Sequence, residues 1–192
     1  MDYFTSDNVV VPGKGDLLIS EPYLPDPNFE RTVVYLCEHD ENGTIGFVLN
    51  KPSNAIFGEL MPEVASFDER VYVGGPVQQD SLHFLHRADD QLGGGVEVKN
   101  SISWGGNFDE LMSMINLGSI RREDYRFFVG YSGWSPGQLD DELQAKSWIV
   151  YKNASPETIF DIEPEELWPH VLKNMGGKFK VIANYPLDPR LN

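Results

Sequence analysis

Thr32-Val33-Val34-Tyr35-Leu36-Cys37-Glu38-His39-Asp40-Glu41-Asn42-Gly43-Thr44-Ile45-Gly46-Phe47-Val48-Leu49 reads as two β-strands joined by a tight turn. Residues 32–37 are apolar on both faces, the pattern of a strand inside a sheet. Asn42-Gly43 predicts a two-residue hairpin, because both turn positions then favour positive φ. Asn50-Lys51-Pro52 ends the second arm, since Pro52 has no amide hydrogen for a ladder. An antiparallel pair is therefore the nucleus from which the fold is read.

Working outward, residues 16–20 form a short apolar strand and 57–61 a short helix. Residues 71–73 form a strand that runs into Gly74-Gly75-Pro76, where the glycines permit an unusual backbone path. Residues 82–86 and 96–98 are expected to pair across Gly93-Gly94-Gly95, with 102–104 as a further strand. Asn107 and Glu110 match a capping box, and Phe108, Leu111, Met112 and Ile115 share one helical face before Gly118. A strand over 127–131, a helix over 136–145 and a strand over 148–151 follow. Ser155-Pro156-Glu157 opens a short helix. Leu167, Val171 and Met175 mark a last one, stopped by Gly176-Gly177 and kinked or restarted at Pro169. Strands occur both as neighbouring hairpins and as pairs separated by helices. The prediction is a single α+β domain with a mixed, largely antiparallel sheet and flanking helices over residues 15–185. Residues 1–14 are a surface segment and 186–192 a tail.

With 192 residues, 41% apolar and 12% aromatic, the chain is long enough to bury roughly 70% of its unfolded surface in one core. Thirty acidic against fifteen basic residues give a net charge of -15. That field repels polyanions, so direct nucleic-acid binding and anionic membranes are disfavoured. Arg121, Arg122 and Arg126 form the notable basic cluster, but Glu123 and Asp124 interrupt it, and the group reads as solvated surface. The single cysteine, Cys37, excludes an internal disulfide and fits a reducing, cytoplasmic compartment. No secretory leader is recognised, and no apolar run approaches the roughly 20 residues needed to span a bilayer.

The richest candidate for chemistry is Gly130-Tyr131-Ser132-Gly133-Trp134-Ser135-Pro136-Gly137-Gln138-Leu139. One reading is structural: Ser135 as N-cap with Gln138 in a capping box, Pro136 first in the helix, Trp134 stapled to Leu139. The other is a ligand site, with exposed amides beside an aromatic wall, although Asp140 and Asp141 would repel a phosphate there. Ser132 sits in a sequence similar to the nucleophile elbow of α/β-hydrolases, but Trp134 replaces the last glycine of that motif. His83 and His86, three apart in a strand, point to opposite faces. His39 and Cys37 share a side, yet a buried thiol and hydrogen-bonded imidazoles are favoured over a metal site. Glu38, Asp40 and Glu41 crowd the hairpin, and Asp89-Asp90 lies in another loop. Phosphate-loop, dinucleotide and Cys-x-x-Cys signatures are absent. No catalytic residue, metal ligand or cofactor is assigned. The candidate ligand-binding set is His39, Asn50, Gly74, Gly75, His86, Ser132, Trp134 and Gln138.

Gly15-Asp16-Leu17-Leu18-Ile19-Ser20, residues 29–39, Gly46-Phe47-Val48-Leu49-Asn50-Lys51-Pro52, Gly74-Gly75-Pro76-Val77, Leu85-His86 and the 130–139 stretch together resemble the AlgH/YqgE-like family of bacterial proteins. The resemblance runs from about Gly15 to Gly177. It implies a cytoplasmic bacterial protein, a bifurcated mixed sheet curled toward a pseudo-barrel, and no established activity. The family name derives from a regulatory link to alginate synthesis.

Three functions are weighed. A non-enzymatic binding or adaptor protein, acting through a protein or small-molecule partner with an indirect regulatory role, leads. An enzyme, or an enzyme-derived ligand-binding protein, would use a groove between the Asn50-Lys51-Pro52 corner, the Gly74-Gly75-Pro76 loop and the Gly133-Trp134 turn, with His39, His83 or His86 as acid-base groups. A transcriptional regulator contacting DNA is third, opposed by the charge.

Overall fold

One strand, β9 (Tyr125–Trp134), has three partners, and the architecture is arranged around it. The computed structural model describes residues 9–87, 92–188 and 190. Asp89-Asp90, residues 1–8 of the N-terminal segment and residues 189, 191 and 192 lie outside the described residues. In chain order the elements are β1 (Leu17–Ser20), β2 (Val33–Asp40), β3 (Gly43–Val48), β4 (Pro52–Ile56) and α1 (Phe57–Leu60). Next come β5 (Arg70–Val73), β6 (Val77–His86), β7 (Val96–Lys99), β8 (Ile102–Trp104), α2 (Phe108–Asn116) and β9. The remainder is α3 (Gln138–Gln144), β10 (Trp148–Tyr151), α4 (Pro156–Phe160), α5 (Pro164–Met175) and α6 (Gly177–Ile182), with 3-10 turns at Pro62–Val64 and Arg122–Asp124.

The strands build one ten-stranded sheet in the order β10-β1-β2-β3-β9-β6-β8-β7, with β4 and β5 as a side branch. Among the described residues only β5 and β9 run parallel; the other pairings are antiparallel. One edge of β9 is divided: residues 127–129 pair with β5, and residues 132–134 with β3. This is the bifurcation the resemblance implies. The sheet also curls without closing. Buried Asp16, just before β1, binds Lys152 Nζ beyond β10 at 2.8 Å and Lys99 Nζ of β7 at 3.5 Å, so both ends of the path converge on one carboxylate.

Alternation along the strands sorts the core. Tyr35, Phe47 and Phe128 face α5 through Leu167, Trp168, Val171 and Leu172. On the opposite face Val34, Leu36 and Val48 meet Trp134, Leu139, Leu143 and Trp148. Phe127, one step from Phe128, belongs instead to the cluster of Phe57, Phe67, Val71 and Phe84 covered by Leu111 and Ile115 of α2.

Five local expectations differ from the structure. Asn107 caps α2, but the capping box stays open, because Glu110 Oε2 accepts the Gly93 amide at 3.1 Å. The β2–β3 hairpin forms, but its loop is Glu41-Asn42, because Asp40 pairs with Gly43. Asp40 Oδ1 accepts the Asn42 amide at 2.7 Å, and Gly43 takes φ 131 where a Cβ would lie 2.6 Å from the Trp134 carbonyl. Strand β7 pairs with β8 rather than β6, since Asn100 and Ser101, with φ 53 and 61, make the tight hairpin turn there. Helix α3 begins at Gln138, not at Pro136. Ser135-Pro136-Gly137-Gln138 is instead a type II turn: the Gln138 amide donates to Ser135 O at 3.0 Å, and Gly137 sits at φ 80, ψ -15. Helix α5 runs through Pro169 without restarting.

Candidate functional site

The glycine motifs come together where the sheet divides. Gly74 donates its amide to Val129 O at 2.9 Å, and its carbonyl accepts from the Val48 amide at 2.8 Å and from Ser132 Oγ at 3.0 Å. It thus stitches β3 to β9 at the fork. Gly130, between the two paired halves of β9, adopts φ 68, and a Cβ there would meet Gly75 O at 2.7 Å. A Cβ on Gly75 would lie 2.2 Å from the Tyr131 carbonyl. Backbones this close leave no room for a side chain. Ser132 is fully buried, with its hydroxyl donated to the Gly74 carbonyl.

Trp134 and Gln138 converge on a different group. The indole N–H of Trp134, at 2.9 Å, and that of Trp148, at 2.7 Å, both donate to Glu142 Oε2, while Gln138 Nε2 donates to Glu142 Oε1 at 3.0 Å. Gln138 Oε1 also accepts the Ser135 amide at 3.0 Å. One acid on α3 therefore fastens the turn to two buried aromatic rings.

The other nominated residues stand apart from these. Asn50 closes the far end of β2–β3, accepting the Val33 amide and donating to Arg31 O, each at 2.9 Å. His39 Nδ1 lies 2.7 Å from Thr44 Oγ1 across the hairpin. His86 is buried, with Nε2 3.0 Å from Gly105 O and its ring stacked on Tyr125. His83, on the opposite face of β6, is ringed by Phe47, Trp104 and Tyr131, and burial lowers its pKa. Cys37 is the extra residue of a bulge in β2; burial, with Glu38 nearby, pushes its thiol well up. No group of three His, Cys, Asp or Glu side chains suited to a metal exists among the described residues.

Among the described residues, two concavities bear on the candidate site. A groove of about 460 Å³ runs between the hairpin and the end of β9, lined by Glu38, Asp40, Thr44, Val77, Tyr131 and Trp134 among others. The corner at Lys51 and the Gly74 loop adjoin the fork, as the Val73 amide bonds Lys51 O at 2.8 Å, but backbone fills that junction. A second cleft of about 400 Å³ lies at the start of the parallel β5–β9 pair, lined by Arg70, Tyr72, Arg122 and Arg126 with several acids. Neither lining includes His39, His83 or His86.

Sequence reasoning missed Arg126. It read as surface, yet it is only 7% exposed, stacked over Tyr72 at 4.7 Å from the ring centroid. Period-two alternation from Tyr125 was the available signal: Tyr125 and Phe127 take one face, Arg126 and Phe128 the other.

A family model described as AlgH-like matches residues 17–180. The chain belongs to the AlgH-like family. A UPF0301 protein of Cytophaga hutchinsonii is 47% identical over 180 residues, covering 93% of this chain and 98% of that protein. The solution structure of the AlgH protein from Pseudomonas aeruginosa superimposes with TM-score 0.71 at 29% identity, over 92% of this chain and 97% of that one. Protein DIP2367 from Corynebacterium diphtheriae shares the fold, with TM-score 0.74 at 21% identity, over 92% and 94%. Within the AlgH-like chain described here, the matched region contains both concavities and the whole fork.

Proposed function

We propose that this AlgH-like chain is a non-catalytic binding protein that docks a basic partner in the groove beside the β2–β3 hairpin. One observation carries the reading: exposed Glu38 and Asp40 face the same groove as Tyr131 and Trp134. Carboxylates next to the half-buried Tyr131 ring suit Lys or Arg side chains, through ion pairs and cation–π contact, while Trp134 packs inward behind them. The net charge of -15 would steer such a partner toward the chain. The candidate groups for covalent chemistry are otherwise engaged, with Ser132 Oγ bonded to a carbonyl and Cys37 buried. The lone buried thiol fits a reducing, cytoplasmic setting, and among the described residues no helix is long and apolar enough to cross a membrane.

The test is a titration of the isotopically labelled chain with a short arginine-rich peptide. Amides of residues 38–45 and 131–134 should shift, and the joint change Glu38→Ala and Asp40→Ala should weaken binding roughly tenfold. Turnover of any compound from a broad metabolite panel, abolished by one polar substitution, would instead establish an enzyme.

A second reading, an enzyme-derived small-ligand site, is favoured by one fact: Gly133 and Trp134 line this same groove. Direct regulation through DNA has only the family name behind it, and the acidic field opposes operator binding. A gel shift at physiological salt with no specific band would remove it.

A further inference from the structure

The groove is not where charge is least balanced. Arg126 forms the floor of the second cleft, and its two hydrogen bonds go to neutral carbonyls: Nη1 to Leu49 O at 3.1 Å and Nη2 to Phe160 O at 3.3 Å. It makes no ion pair among the described residues. Its neighbours do: Arg70 with Glu163 at 3.8 Å, Arg122 with Asp68 and with Glu69 at 3.7 Å, Arg87 with Asp124 and Asp161. A guanidinium withdrawn from water needs a close counter-charge; burial pulls the pKa of this one down, and the charges of Glu163 and Asp161, neither in direct contact, offset only part of that. Two carbonyls occupy two of its five N–H groups, which leaves donors in a planar fork that matches a carboxylate.

The same cleft holds a carboxylate with the converse deficit. Glu69 is half-buried, its partner Arg122 lies 3.7 Å away and is held more closely by Asp68, and burial raises its pKa. The lining includes five acids, Asp68, Glu69, Glu123, Asp161 and Glu163. A dianion such as phosphate would be repelled by them; a single carboxylate carrying its own cation would not. The volume, about 400 Å³, suits a small molecule.

We propose that the cleft at the start of β5 and β9 binds a small zwitterion of the α-amino-acid class, its carboxylate on Arg126 and its ammonium toward Glu69. The assignment is independent of the groove and of any partner there. The full chain is titrated separately with the proteinogenic α-amino acids, acetate, methylamine and inorganic phosphate, following backbone amides of residues 69–72, 122–126 and 160–164. At least one amino acid should shift those amides, with acetate, methylamine and phosphate at least about tenfold weaker. Arg126→Lys keeps the charge and loses the fork, and should weaken the amino acid by tenfold or more. Glu69→Gln, at a half-exposed position that keeps the fold, should weaken the amino acid and leave acetate unchanged. No response to any amino acid, acetate or phosphate binding as tightly as the best amino acid, or unaltered affinity in Glu69→Gln each overturns the proposal.

Discussion

Glu142 has a role out of proportion to its position on a short surface helix. Two indole N–H groups from Trp134 and Trp148, rings that are both 5% exposed, share its Oε2 atom. Removing that acceptor leaves two poorly hydrated donors, each costing about 1–3 kcal/mol. Glu142→Leu should therefore lower stability by roughly 2–6 kcal/mol, whereas Glu142→Gln, which keeps one carbonyl oxygen, should lose about half as much. Guanidinium denaturation followed by tryptophan fluorescence reads both. Trp134 and Gln138 were legible in the sequence as parts of one structural unit, whereas the true start of α3 and the acid that joins them were not. Spacing shows that Gln138 and Glu142 are helical neighbours, but the approach of Trp148 from β10 depends on how the sheet folds over.

At the scale of elements, the fork in β9 explains the unusual glycines. Gly130 is needed for two reasons at once: a φ of 68, which L residues disfavour, and the carbonyls of Gly75 and Val77 at 2.7 and 2.9 Å from where a Cβ would stand. Gly137 offers a comparison, with φ 80 and no atom within 4 Å of its virtual Cβ. Gly130→Ala is expected to cost about 3 kcal/mol or more, and Gly137→Ala about 1 kcal/mol. Equal midpoint shifts in urea would contradict the assignment of Gly130 to the fork. Strand and helix identities were readable because period-two and 3.6-residue patterns are local. Pairing errors arose where turn chemistry decided. Asn100-Ser101 adopts the positive-φ hairpin that Asn42-Gly43 was expected to make, and it places β8 between β6 and β7.

For the molecule as a whole, Asp16 joins the two ends of the sheet path. Buried to 2% exposure, it accepts the Gly13 amide at 2.7 Å and binds lysines from β7 and from beyond β10. Hydrogen bonds to a charged group contribute about 1.5–3 kcal/mol. Asp16→Ala should destabilise the chain by about that much, whereas Lys99→Met alone should cost under about 1 kcal/mol, because that ammonium is largely solvated. Comparable losses in thermal melts would refute a closing role for the acid. The α+β class, the β2–β3 hairpin, the capped α2 and the family motifs all follow from the chain read alone, since each rests on contacts within a few residues. Which glycines touch, which acid receives two indoles, and why Arg126 is buried beside Arg70 and Phe160 were decided by the folded sheet. Those neighbours are brought together by strand order and burial across long stretches of chain, and spacing carries no record of either.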